Sequence, residues 1–141
     1  MNIKVSVFCC AYNQERFIRK TLDGFVMQKT DFPFEVLVHD DASTDNTPNI
    51  IKEYAEKYPD IIIPILSSQN HFRAGINTTN VEFLPRMRGE YVAHCDGDDY
   101  WIDENKLQKQ VDFLDSHPEY IICATRAKIV WSDGLHSTEF A

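Results

Sequence analysis

The sequence predicts an α/β fold, a mainly parallel sheet covered by helices on both faces. Three observations predict it. Apolar segments of strand character alternate with segments of about a dozen residues whose apolar positions recur at helical spacing, and that alternation implies parallel strands joined by crossover helices. A chain of 141 residues is long enough for one domain with a real core. Its 43% apolar and 26% charged residues are near the average of a soluble globular chain, which separates it from disordered or low-complexity sequence.

The elements follow in order. "IKVSVFCCAYN" alternates β-branched residues and reads as a strand over residues 4–11, ending in polar Asn13 and Gln14. In "QERFIRKTLDGFVMQK" the residues Phe17, Ile18, Leu22, Phe25 and Val26 mark one apolar helix face, slightly weakened by Gly24. The next segment repeats the unit. It has a strand over 35–39, a polar turn, and a helix over 47–57 with Pro48 in its first turn and Pro59 beyond its end. "IIIPILSS" is a third strand, and Pro64 assigns it to an edge or a bulge because proline cannot donate to the ladder. Residues 69–88 carry no clear period, and Pro85 breaks or bends any helix there. "GEYVAHC" reads as a strand, "ENKLQKQVDFLDSH" as a helix with Leu107, Val111 and Leu114 on one side, and "EYIICATRAKIVW" as a last strand.

Composition excludes several classes. A formal charge of −8 argues against nucleic-acid binding, which relies on a basic face. No apolar run approaches the ~20 residues that span a bilayer, and the N-terminus lacks the layout of a signal peptide. Cys9, Cys10, Cys95 and Cys123 form no C-x-x-C pair and have no histidine at zinc spacing, so they read as free thiols of a reducing compartment. The first strand is followed by "CAYNQER" rather than a glycine-rich phosphate loop. That argues against dinucleotide enzymes, P-loop triphosphatases and nucleotidyltransferases.

What remains is acidic. Ligands of an open parallel sheet bind beyond the carboxyl ends of the strands, where the strand order reverses. Asp40-Asp41 closes the second strand, and Asp96-Gly97-Asp98-Asp99 follows the strand that begins near Glu90, so the fold is expected to bring both clusters to one site. An EF-hand is excluded, because a loop starting at Asp96 would place Tyr100 at position five and Trp101 where glycine is required. Asp-x-Asp at a strand end suits magnesium or manganese, which take one or two carboxylates and complete their shell with water and substrate phosphate. Ser43, Asp45 and Thr47 read as caps of the following helix. Tyr100 and Trp101 read as packing residues, and His39 and His94 as half-buried strand residues rather than ligands.

Together, "VSVFCCAYNQERFIRKTL", Gln28, "FEVLVHDDASTDNT", "RGEYVAHCDGDDYW" and "KLQKQVDFL" resemble a family 2 glycosyltransferase with the Rossmann-like GT-A fold, over nearly the whole chain. The family's first strand commonly ends in Pro-Thr-Tyr-Asn. Here it is Cys10-Ala11-Tyr12-Asn13, which keeps the turn but not the threonine hydroxyl. The resemblance implies that Ala11, Tyr12 and Asn13 border a nucleotide pocket and that Asp41, supported by Asp40, contacts the nucleobase or ribose. It implies that Asp98 binds a divalent metal, Mn or Mg, and that Asp96 reaches the ribose or a metal-bound water. Asp99 would lie behind them, and Arg73 would face the nucleotide.

The function so implied is inverting transfer of a sugar from a nucleotide diphosphate donor, by default a UDP-sugar, to a hydroxyl of a carbohydrate or glycolipid acceptor. The expected setting is bacterial polysaccharide or glycolipid assembly in the cytoplasm, peripheral to the inner face of the membrane. The family's catalytic base lies in a later segment. Asp133 and Glu139 sit in no base motif, so none is assigned, and residues 1–141 are expected to be a single donor-binding domain of a longer enzyme. The alternative is a non-catalytic nucleotide-sugar or metal binding module.

Overall fold

The structure, a computed structural model, describes residues 2–131 together with the backbone of residues 137–140. The chain forms two compact units, residues 1–108 and 109–141. In the first, strands β1 (Val5–Ala11), β2 (Phe34–Asp40), β3 (Ile62–Leu66) and β4 (Tyr91–His94) form one parallel sheet in the order β3-β2-β1-β4. Helices α1 (Ile18–Val26) and α2 (Thr47–Lys57) join the first three strands, and α3 (Lys106–Ser116) follows β4. Strand order runs outward from β1 to β3 and then returns to the other side of β1. The reversal therefore lies between β1 and β4. As its proline requires, β3 is an edge strand, with Pro64 paired to Val38 on one side only.

The core sits around β1 and β2. Every residue of β2 is buried, as a central parallel strand demands. Helix α1 contributes Ile18, Leu22 and Phe25, and α2 contributes Ile50, Ile51 and Tyr54. Each such large apolar side chain stabilises the fold by about 1.5–3 kcal/mol through removal from water. Pro85 behaves as its chemistry predicts: between β3 and β4 there is only a short π-helical turn, Thr79–Phe83, and its Phe83 is fully buried against the Phe8 ring at 5.1 Å. Gly89 brings the chain into β4 so closely that a Cβ there would lie 2.3 Å from the Ser6 backbone nitrogen.

The second unit corrects one expectation. Residues 119–131 do not form a further strand of the parallel sheet. Strand β5 covers only Ala127–Val130 and pairs antiparallel with β6 (Ser137–Phe140) in a separate two-stranded sheet. Residues 119–126 instead fold back on the end of α3. Tyr120 stacks on Phe113 at 5.7 Å, and the Gln110 side-chain amide donates to the Cys123 carbonyl at 3.3 Å. β-branched composition favours strand only where a partner edge exists. Asp133 lies outside the described residues, and of Glu139 only the backbone is described.

Near the start of the sheet, one buried charge is balanced. Glu35 is 1% exposed, and its carboxylate accepts the Ser6 hydroxyl at 2.6 Å, the Arg88 backbone N–H at 2.9 Å and the Arg88 Nε at 2.7 Å. Burial pushes its pKa up, but Ser6 and Arg88 together hold it below the usual glutamate value. The stability this carboxylate contributes is therefore present above the unfolded-state value of about 4.3 and is lost as pH falls through the lower folded value. Replacing Arg88 by methionine is expected to cost about 2 kcal/mol at neutral pH, the scale of hydrogen bonds to a charged group. The deficit relative to the unaltered chain should shrink below about pH 4, as read from urea unfolding curves at pH 7 and pH 3.

Candidate functional site

A cleft of about 480 Å³ opens at the carboxyl ends of β1, β2 and β4. Ala11, Tyr12, Asp41, Arg73, Asp96 and Asp98 all line it, so the two acidic turns, more than fifty residues apart in sequence, share one site. Register explains the convergence. Ala11 pairs with Asp40, so Tyr12 and Asp41 emerge together. β4 ends earlier, with His94 beside Phe8, but the chain runs on along β1, Cys95 donating its N–H to the Phe8 carbonyl and Gly97 to that of Cys10, which carries Asp96 and Asp98 to the same end. Asn13 and Asp40 are not part of the lining.

Their polar groups are used in the loops instead. Asn13, in the left-handed region at φ 51°, receives the Thr44 N–H on its Oδ1 at 2.8 Å. Asp40 receives the Ser43 N–H on Oδ2 at 3.1 Å, while its buried Oδ1 has no partner. Ser43, Asp45 and Thr47, expected as helix caps, mostly serve the loop after β1. They accept the backbone N–H groups of Asn13, Glu15 and Gln14 at 2.9, 3.0 and 2.8 Å. Only Asp45 also caps locally, accepting the Thr47 N–H at 2.9 Å. Glu15 returns the favour, accepting the Asn46 N–H at 2.9 Å. The loop of residues 13–15 has no strand partner for its donors, so the facing turn supplies acceptors.

Asp41 is the inner acid, 8% exposed. Its carboxylate accepts the His71 N–H at 2.6 Å and the Phe72 N–H at 3.2 Å, and its carbonyl accepts the Asn70 amide at 2.9 Å. Sequence periodicity could not read residues 69–75 because this carboxylate, rather than a local repeat, folds them. The arrangement brings the Arg73 guanidinium over the Tyr12 ring at 5.8 Å on the cleft wall. His39, expected to be half-buried, is 1% exposed, and its ring lies tilted against that of His71 at a centroid distance of 5.0 Å. Its histidine neighbour is thus 32 positions away in sequence, too far for any spacing rule.

The outer acids are held differently. Gly97 donates its N–H to the Cys10 carbonyl at 2.9 Å, and the Thr21 hydroxyl on α1 lies 2.9 Å from the Gly97 carbonyl and 2.6 Å from that of Asp99. A Cβ at Gly97 would run into the Gln14 side-chain oxygen and stand 3.0 Å from Ala11 Cβ and from the Cys10 carbonyl oxygen, so any side chain between the two aspartates has to push Gln14 aside and press on β1. Gln28 fixes the following turn, donating to the Gly24 and Asp103 carbonyls and accepting the Leu107 N–H. His94 stacks on Phe8 at 4.4 Å and meets Asp96 Oδ1 at 3.0 Å. Trp101 packs edge-on against Phe25, and Tyr100 lies under the Lys20 ammonium.

Electrostatics mark this end of the sheet. Burial and the neighbouring Asp98 and Asp96 push the Asp99 carboxyl above the usual range. Burial, with Asp96 and Asp41 beside it, pushes the Cys10 thiol up to about 11. Burial with Asp99 and Asp96 takes Cys95 to about 12. The Asp96 and Asp98 carboxylates are exposed, all-oxygen donors at the cleft mouth, a donor set that fits a hard divalent cation.

Comparison with known proteins matches residues 6–137 to the family model described as glycosyl transferase family 2. An uncharacterized protein of Mycobacterium tuberculosis is 48% identical over 136 residues, which is 96% of this chain and 38% of that relative. Among solved structures, Staphylococcus aureus TarS 1-349 in complex with UDP aligns at a TM-score of 0.68 and 32% identity, over 82% of this chain and 33% of that one. A mannosyltransferase from Pyrobaculum calidifontis in complex with GDP-Man and Mn2+ aligns at 0.66 and 30%, over 81% of this chain and 33% of that one. The chain thus spans well under half the length of these relatives, and its parallel sheet and flanking helices are of the GT-A kind that TarS has. Matched over residues 6–137 by the family's own model, the chain belongs to glycosyl transferase family 2.

Proposed function

We propose that this chain binds the donor for an inverting glycosyltransferase, which moves a sugar from a UDP-sugar to a hydroxyl of a carbohydrate or glycolipid acceptor. The observation that carries the reading is the meeting of Asp41 with Asp96 and Asp98 in one cleft whose wall bears Tyr12 and Arg73. The names of the structural relatives support the donor class, since TarS was solved with UDP and the mannosyltransferase with GDP-Man and Mn2+. The acceptor class and a cytoplasmic setting peripheral to the membrane are part of the proposal; no helix among the described residues is long and apolar enough to cross a membrane.

In this reading Asp98, with Asp96, holds a manganese or magnesium ion. The ion would supply Lewis-acid neutralisation of the leaving diphosphate. Asp41 takes a donor hydrogen of the nucleobase or ribose on the lone pairs that His71 and Phe72 leave free. Tyr12 and Ala11 border the nucleotide, and Arg73 faces it. Asp40 and Asn13 act from behind by holding the turns that present Asp41 and Tyr12. The reading assigns no catalytic base to any described residue.

Calorimetric titration with UDP is expected to give binding that requires manganese. Asp98→Asn should weaken it at least tenfold, about 1.4 kcal/mol. UDP binding that is indifferent to manganese and to Asp98 would overturn the metal assignment. Arg73→Ala is expected to weaken UDP by roughly 1 kcal/mol, about fivefold, with the manganese requirement retained. An unchanged affinity would remove Arg73 from the donor site.

A further inference from the structure

We propose that His39, Asp41 and His71 form a second metal site, for a first-row transition ion of the zinc class, in the inner wall of the cleft. One ligating atom from each residue lies within 4.8 Å of the other two, and all three residues are buried. His39 lies near the end of β2, Asp41 directly follows that strand, and His71 comes from the segment that folds over Asp41.

The state of His39 points to a ligand. Its Nε2 meets the Ser67 hydroxyl at 2.8 Å, whereas its Nδ1 is buried with no hydrogen-bond partner. Buried polar atoms are almost always satisfied, so an orphaned nitrogen on an imidazole that clusters with a carboxylate and a second imidazole requires an explanation. In the tautomer that donates Nε2–H to Ser67, Nδ1 keeps its lone pair for a metal. Ligating histidines are commonly anchored through their other ring nitrogen in this way. Both ring nitrogens of His71 have only long contacts, Thr78 Oγ1 3.4 Å from Nδ1, and Ser67 Oγ and Glu82 Oε1 at 3.5 and 4.0 Å from Nε2, so an ion would displace one of them while the other anchors the ring. Asp41 is oriented by two backbone N–H groups and retains lone pairs on both oxygens.

The donor set decides the ion. Two imidazoles and one carboxylate suit zinc and its first-row neighbours, while magnesium prefers oxygen ligands. The site therefore selects a different cation from the Asp96–Asp98 pair. Bonds of about 2.0–2.2 Å in tetrahedral geometry hold donors about 3.4 Å apart, so an ion would draw the three side chains together by up to ~1.4 Å. It would also tie β2 to the segment that carries Phe72 and Arg73, stiffening the cleft wall. None of this depends on the donor reading.

The test uses the whole chain with Asp96→Asn and Asp98→Asn combined, which removes the oxygen pair, and titrates it with zinc and with cobalt. Expected results are one equivalent bound, a higher Tm with zinc, absorption bands of four-coordinate cobalt, and no displacement by excess magnesium. Ser67→Ala should weaken zinc by about 10–100-fold, the usual cost of losing an outer hydrogen-bond partner, and His39→Gln or His71→Gln by more than that. The absence of stoichiometric zinc binding to the doubly altered chain overturns the proposal without recourse to any core variant. Zinc affinity left unchanged by His71→Gln overturns it equally.

Discussion

The cleft rests on one constraint, the parallel pairing on both sides of β1 that ends β1 and β2 together and leads the chain beyond β4 along β1 to the same edge. Parallel strands leave their last amides and carbonyls without ladder partners, and the loops that follow must find them elsewhere. Here the loops satisfy one another. Residues 13–15 exchange hydrogen bonds with 43–47, Asp41 gathers 70–72, and Thr21 and Cys10 hold the Asp96-Gly97-Asp98 turn. This stitching sorts the acids. Asp40, Asp41 and Asp45 accept backbone N–H groups, while Asp96 and Asp98 stand exposed at the cleft mouth.

Charge is handled differently at the two ends of the sheet. At the Phe34 end, buried Glu35 is matched by a guanidinium, a hydroxyl and a backbone amide. At the opposite end three carboxylates crowd one turn in a chain of net charge −8, and the Asp99 carboxyl is raised first by burial and then by Asp98 and Asp96. Such crowding is costly without a counter-charge. In the proposed function, a hard cation on Asp96 and Asp98 is the counter-charge that offsets it.

Much of the fold was legible in the sequence because it obeys local rules. Alternating β-branched residues marked β1, helical spacing marked α1 and α2, and Pro64 marked an edge. Meeting of the acidic turns followed from topology alone. Tertiary contacts set what was not legible. Residues 69–88 take their shape from the Asp41 carboxylate and from Phe83 entering the core, and neither leaves a periodic trace. His39 and His71 meet only because that segment folds back. Residues 119–131 show the converse, for their apolar, β-branched run suggested a long strand, yet only Ala127–Val130 has a partner to pair with. Ser43 and Thr47 carry the composition of helix caps, but the nearest unsatisfied donors belong to another loop.

The sulfur atoms beside the cleft acquire a chemical character from their setting. Cys10 borders the cleft and Cys9 and Cys95 lie buried, each with its thiol pKa driven upward by burial and, less strongly, by the aspartates. At neutral pH a group titrating near 11 is ionised in only about one molecule in ten thousand. Since nucleophilic sulfur is the deprotonated form, burial and the aspartates keep these side chains as thiols, the less reactive state, and give the cleft a neutral wall where Cys10 lines it.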